Sequence, residues 1–198
     1  MKNRFKLIGV YDYTVILTYM SLCFAIFGML NGMHGKYTFA ILCLMGAGIC
    51  DAFDGIVARS KKNRTEDEKS FGIQLDSLCD VIGFGIFPAF LCYFMGMNGV
   101  LGVIILCVYP LCAVIRLAFF NVLEGKRQQT EAGCAKSYRG LPVTSISILL
   151  PLVYLFHSII SEQVFVWILH GLMLIVAFLF VYDFSVPKPD WKKILTGK

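Results

Sequence analysis

Charge is missing from long parts of this chain. Tyr13 to Met33 carries none for 21 residues, and Val81 to Ile115 carries none for 35. Runs of that length exclude an ordinary soluble domain, since about 20 apolar residues cross the roughly 30 Å of bilayer hydrocarbon. Spaced histidine ligands are missing as well. His34, His157 and His170 are scattered at expected segment ends and suit packing or interface roles. The eight cysteines contain no CxxC pair. Cys23, Cys43, Cys50, Cys79, Cys92, Cys107 and Cys112 lie in or beside apolar runs, with Cys134 alone in a polar loop, so neither a disulfide scaffold nor thiol chemistry is expected. A cleavable leader is not expected either: the first apolar run is too long and lacks a small-residue cleavage site. No heptad or small-xxx-small motif establishes homodimerisation.

What is present is apolar. With 58% hydrophobic residues and a mean hydropathy of +0.72, the chain reads as one all-α integral membrane bundle of six transmembrane helices. The expected spans are about 13–33, 37–58, 71–95, 100–122, 140–161 and 163–182. A short interfacial helix over 1–12 places Lys2, Arg4 and Lys6 among headgroups. Gly46 and Gly48 admit a close neighbour in the second span, Gly96 to Gly99 divides the third from the fourth, and Pro110 predicts a kink. Residues 124–139 read as a polar loop and 183–198 as a basic tail in which Trp191 suits the interface.

Sixteen of the eighteen Lys and Arg residues fall on one side of this six-span arrangement. The positive-inside rule then puts both termini, and whatever lies at that end, toward the cytoplasm of a cell membrane. Basic edges facing anionic lipid account for the net charge of +5 without nucleic acid.

Four aspartates interrupt this apolar background. Asp51, Asp54, Gly55, Ala58 and Arg59 share one helical face, and Gly72, Asp76 and Asp80 repeat every fourth residue on another. Facing helices would gather four carboxylates in one pocket. Such a group needs a compensating cation, and oxygen-only ligands suit Mg²⁺, Mn²⁺ or Ca²⁺ better than zinc. The charge count fits two divalent ions. Lone membrane acids often only bond a neighbouring helix; four of them spaced with two glycines and an arginine are a functional constellation.

The pattern D-x-x-D-G-x-x-A-R followed by G-x-x-x-D-x-x-x-D resembles the signature of the CDP-alcohol phosphotransferases, membrane enzymes that join a CDP-linked lipid to an alcohol and release CMP. All eight signature residues are present. The resemblance implies Asp51, Asp54, Asp76 and Asp80 as ligands of two divalent cations, Mg²⁺ or Mn²⁺, with Asp80 also the general base. It implies Gly55, Ala58, Arg59 and Gly72 as the CDP-lipid-binding residues, and a homodimer. Twelve residues separate Arg59 from Gly72, more than is common in the family. The surplus, within Lys61 to Lys69, is expected to loop into water.

Phe84-Gly85-Ile86-Phe87-Pro88-Ala89, Arg116-Leu117-Ala118-Phe119-Phe120-Asn121 and Tyr138-Arg139-Gly140-Leu141-Pro142 make the chain most similar to the short Gram-positive and archaeal type of phosphatidylserine synthase. Phe119 stands where that type carries an arginine, and Thr18 where an asparagine is usual. The expected reaction transfers phosphatidyl from CDP-diacylglycerol to L-serine, with Arg116, Asn121 and Arg139 as acceptor-binding residues. Guanidinium binds carboxylate and phosphate alike, so glycerol 3-phosphate or an inositol phosphate is the alternative acceptor. A small ion channel or transporter is the reading from another class; it calls for acids spread through the membrane depth rather than gathered at one side.

Overall fold

The computed structural model describes residues 9–61, 64–129 and 137–187, and for Arg59, 126–129, 137–139 and 185–187 the backbone alone. Residues 1–8 of the expected interfacial helix, Cys134, and Trp191 with the rest of the tail from 188 lie outside the described residues.

Among the described residues six helices follow one another: α1 (Ile16–Met33), α2 (Tyr37–Ser60), α3 (Glu66–Phe94), α4 (Val100–Gln129), α5 (Val143–Tyr154) and α6 (Glu162–Val181). A 3₁₀ turn, Tyr13–Val15, leads into α1, where the Asp12 carboxylate accepts from the Thr14 N–H at 2.8 Å. Five of the helices are long and apolar enough to cross a membrane. The fifth expected span is shorter than a crossing. It is formed by α5, which at 1.5 Å per residue is about 18 Å long and is followed by hydrogen-bonded turns as far as Ile160. Beyond the helical class the described residues hold one two-stranded antiparallel ribbon, β1 (Ser137–Arg139) with β2 (Ser185–Pro187), in which Tyr138 pairs with Val186.

The long spacer behaves differently from its expected role as a loop. Thr65 accepts from the Glu68 N–H at 3.2 Å, and the Glu68 carboxylate accepts from the Thr65 N–H at 3.0 Å. This reciprocal capping box starts α3 at Glu66, so the polar surplus lengthens the helix rather than the connection. Likewise α4 continues to Gln129, into the stretch expected as a polar loop.

α3 is not a uniform α-helix. Val81–Ile86 is a π segment, closed by a bond from the Phe87 N–H to Ile82 O, five residues back. Pro88, four residues after Phe84, has no N–H to give the Phe84 carbonyl. The Tyr109 hydroxyl of α4 donates to that carbonyl at 2.8 Å, and both side chains are completely buried.

The core is built from Ala25 of α1, Leu44 and Ala47 of α2, Phe84, Phe87 and Leu91 of α3, Ala113 of α4, and Leu169 and Met173 of α6. Gly46 packs against Phe24, and Gly48 lies so close to Ser147 that an added Cβ would collide with its side chain. Both glycines therefore admit neighbours as expected. Outward positions such as Leu42, Ile49, Ile104, Leu111 and Ile175 are apolar and exposed, as a lipid-facing surface requires.

One end of the bundle gathers residues distant in sequence. Lys61, just after α2, bridges Asp12 at 2.8 Å and Glu68 at 3.1 Å. The β ribbon ties the entry of α5 to the exit of α6 at one level. At the opposite end the chain reverses through Gly35 and Gly96, whose φ values of 73° and 115° favour glycine, and the Tyr37 hydroxyl donates to Phe94 O at 2.6 Å.

Candidate active site

The carboxylates on α2 and α3 meet. Ligand oxygens of Asp51, Asp76 and Asp80 all lie within 4.8 Å of one another. Asp51 stands beside Asp80, and Asp54 beside Asp76. Asp80 is buried, with 8% of its surface exposed. Oδ1 of Asp76 is buried and accepts no hydrogen bond from any described residue. Gathered acids with an orphaned buried oxygen are the donor set of a hard cation, and these residues fit one.

Asp54 stands outside the tight trio. Its Oδ2 accepts from the Thr18 hydroxyl of α1 at 3.2 Å, so the residue that differs from the usual asparagine still offers a donor to the acidic face. One turn further along α1, the Ser21 hydroxyl donates to Ala47 O at 3.2 Å. These two contacts fix α1 against the α2 turn that carries the acids. Between Asp76 and Asp80, the Ser77 hydroxyl donates to Asn121 Oδ1 at 2.9 Å, joining α4 to the signature turn of α3. Asn121, expected to touch the acceptor, is thereby held against the turn of α3 between two of the acids.

Arg116 lies elsewhere on α4. Its Nη1 donates to Phe180 O at 3.4 Å, its guanidinium stands 5.8 Å from the Phe120 ring centre, and it lines a hollow of about 330 Å³ with Phe119, Gly140, Phe180, Tyr182 and Asp183. Arg139 belongs to β1, one residue before the wall of that hollow at Gly140. Arg59 and Ala58 are in the last turn of α2, and Gly72 is in α3 one turn before Asp76.

The family model for CDP-alcohol phosphatidyltransferase matches residues 13–182. The chain belongs to this family. Similar proteins are the archaetidylserine synthase of Methanothermobacter thermautotrophicus, 32% identical over 87% of this chain and 65% of that protein, and the CDP-diacylglycerol–serine O-phosphatidyltransferase of Methanocaldococcus jannaschii, 32% identical over 92% of this chain and 76% of that one. The enzyme of that same name from Saccharomyces cerevisiae is 33% identical over 64% of this chain and 51% of its own length. The chain thus spans from about half to three quarters of the length of these relatives. No solved structure matches it significantly. Membership in the family agrees with the signature and with several apolar helices, which make this a multi-pass membrane protein.

Two contacts beside the signature involve residues outside it: Ser77 with Asn121, and Arg64, whose Nη2 donates to Glu68 O at 3.0 Å. Ser77 carries no signal beyond its place between two signature acids. Arg64 could have been located: Thr65-x-x-Glu68 is a capping-box pattern, which sets Arg64 immediately before the helix start.

Proposed function

We propose that this family member is a CDP-diacylglycerol–serine O-phosphatidyltransferase, and that its acidic cluster faces the cytoplasm. The observation that carries the reading is the convergence of Asp51, Asp76 and Asp80 from two helices at one end of the bundle. The names of the relatives supply the acceptor. Sixteen of eighteen basic residues fall on one side of the expected span arrangement, which supports the orientation.

The chemical difficulty is attack by a weak nucleophile, a hydroxyl, on a diphosphate that is already negative. Asp51, Asp54, Asp76 and Asp80 would hold two divalent cations, Mg²⁺ or Mn²⁺, which when bound neutralise and orient the diphosphate. Asp80, as general base, accepts the proton of the serine hydroxyl. The serine oxygen then bonds to the phosphorus of the phosphatidyl group, the bond from that phosphorus to the bridging oxygen breaks, and CMP leaves with the electron pair. Gly55, Ala58 and Gly72, lacking bulk of their own, would let the nucleotide approach the backbone, and Arg59 would pair with its phosphates through a fixed fork of donors. Arg116 lines the hollow that would receive the serine carboxylate, and Arg139, next in sequence to Gly140 of its wall, would be the second guanidinium for it.

The test is transfer by purified protein. Given CDP-diacylglycerol, Mg²⁺ or Mn²⁺ and labelled L-serine, it should form phosphatidylserine and CMP, and Asp80→Asn should abolish CMP release while remaining folded in detergent. Product from glycerol 3-phosphate alone would refute serine as acceptor. Full activity of Asp80→Asn would refute the base.

A further inference from the structure

The notch over Gly72 is filled. A Cβ built on Gly72 would stand 2.6 Å from Arg64 Nη2, so this side chain lies directly on the signature glycine. Arg64 Nη2 donates to Glu68 O at 3.0 Å, and Nη1 reaches Ala58 O at 3.5 Å. The guanidinium therefore bridges the end of α2 to the first turn of α3, touching two of the small residues that flank the acid cluster. Among the described residues its buried Nε has no hydrogen-bond partner, and no carboxylate forms an ion pair with it. The nearby Glu68 carboxylate is engaged by Lys61 and the Thr65 N–H instead.

A partly buried cation held by two carbonyls, with one donor orphaned, is under-compensated. The missing partner is an anion. Gly72 is one helical turn from Asp76, about 6 Å along the axis, so an anion bound at the acids and extending toward Gly72 comes within reach of this arginine. We propose that Arg64 is a substrate-binding residue: on entry of the CDP-lipid its guanidinium leaves the Ala58 and Glu68 carbonyls and pairs with the diphosphate. This rests on the nucleotide reading of the Gly72 face given above, and it adds a second guanidinium, contributed by the lengthened spacer, to the one assigned to Arg59. The carbonyls are neutral acceptors and the diphosphate is charged, so the exchange of partners favours the substrate.

Binding of CDP and of uncharged cytidine, measured with Mg²⁺ in detergent free of anionic lipid, tests the assignment and keeps headgroup phosphate out of the comparison. Arg64→Gln should weaken CDP binding about ten-fold or more, leave cytidine binding near its wild-type value, and raise KM for CDP-diacylglycerol with little change in kcat. Arg64→Lys should recover part of the loss, since it keeps the charge without the fork. If Arg64→Gln melts far below wild type, Arg64→Lys carries the test through its own intermediate CDP affinity. Unchanged CDP affinity in these variants, or equal losses for CDP and cytidine, overturns the proposal while the enzyme assignment stands. A wild-type protein that binds no CDP overturns both.

Discussion

Tyr109→Phe removes one oxygen from the middle of the bundle and changes almost nothing else in shape. The lost hydroxyl is the donor to Phe84 O at 2.8 Å, at a place where Pro88 withholds the usual helical N–H. Both side chains are fully buried, so lipid and water are equally unable to substitute. A buried carbonyl deprived of its partner costs about 1–3 kcal/mol. For a chain of this size, each kcal/mol moves a melting midpoint by roughly 2–4 °C. The expected fall is therefore about 2–12 °C, read by thermal unfolding in detergent. Tyr93→Phe is the control, because Tyr93 is 43% exposed. If Tyr109→Phe melts together with wild type and Tyr93→Phe, the hydroxyl does not hold the π segment and the reasoning fails.

Other expectations are as direct. Gly48→Ala should destabilise the α2–α5 contact by about 1–3 kcal/mol through overpacking, and adding Ser147→Gly should recover much of it in the same melt. Lys61, hydrogen-bonded to Asp12, and then Thr14, hold the Asp12 carboxyl down at about 2 from its ordinary 3.8. A carboxyl lowered by folding stabilises the fold above its unfolded pKa, and that contribution drains away as pH falls from 3.8 through about 2. The melting difference between wild type and Asp12→Asn should accordingly be present at neutral pH and close across that interval. A difference that persists unchanged at the acid end would refute the pairing.

Periodicity located much of this molecule because lipid imposes a simple rule on sequence. Uncharged runs marked α1, α2, α4 and α6 to within a few residues, except that α4 extends further at its end. The four-residue spacing of Gly72, Asp76 and Asp80 correctly set the acids on one face, and the opposing acid of α2 joins them. What periodicity missed has local causes. The start of α3 depends on two side chains capping each other, which outweighed the polar composition of the spacer. The brevity of α5 follows from tight turns after Tyr154, in an uncharged stretch that His157 and Ser158 interrupt. The ribbon between Ser137–Arg139 and Ser185–Pro187 pairs segments nearly fifty residues apart, and no pattern within either segment announces it.

The wide turn at Val81–Ile86 fixes an angle. A helix advances about 100° per residue, and a π segment absorbs one residue more than regular winding would. The acid-bearing half of α3 and its apolar half are thereby set out of phase by about that amount. Winding the same residues as a regular α-helix would swing Asp76 and Asp80 about a quarter-turn away from Asp51, whereas deleting one residue of Val81–Ile86 would restore regular winding and keep their aim. The aim of the carboxylates thus depends on how a stretch that carries no charge at all is wound.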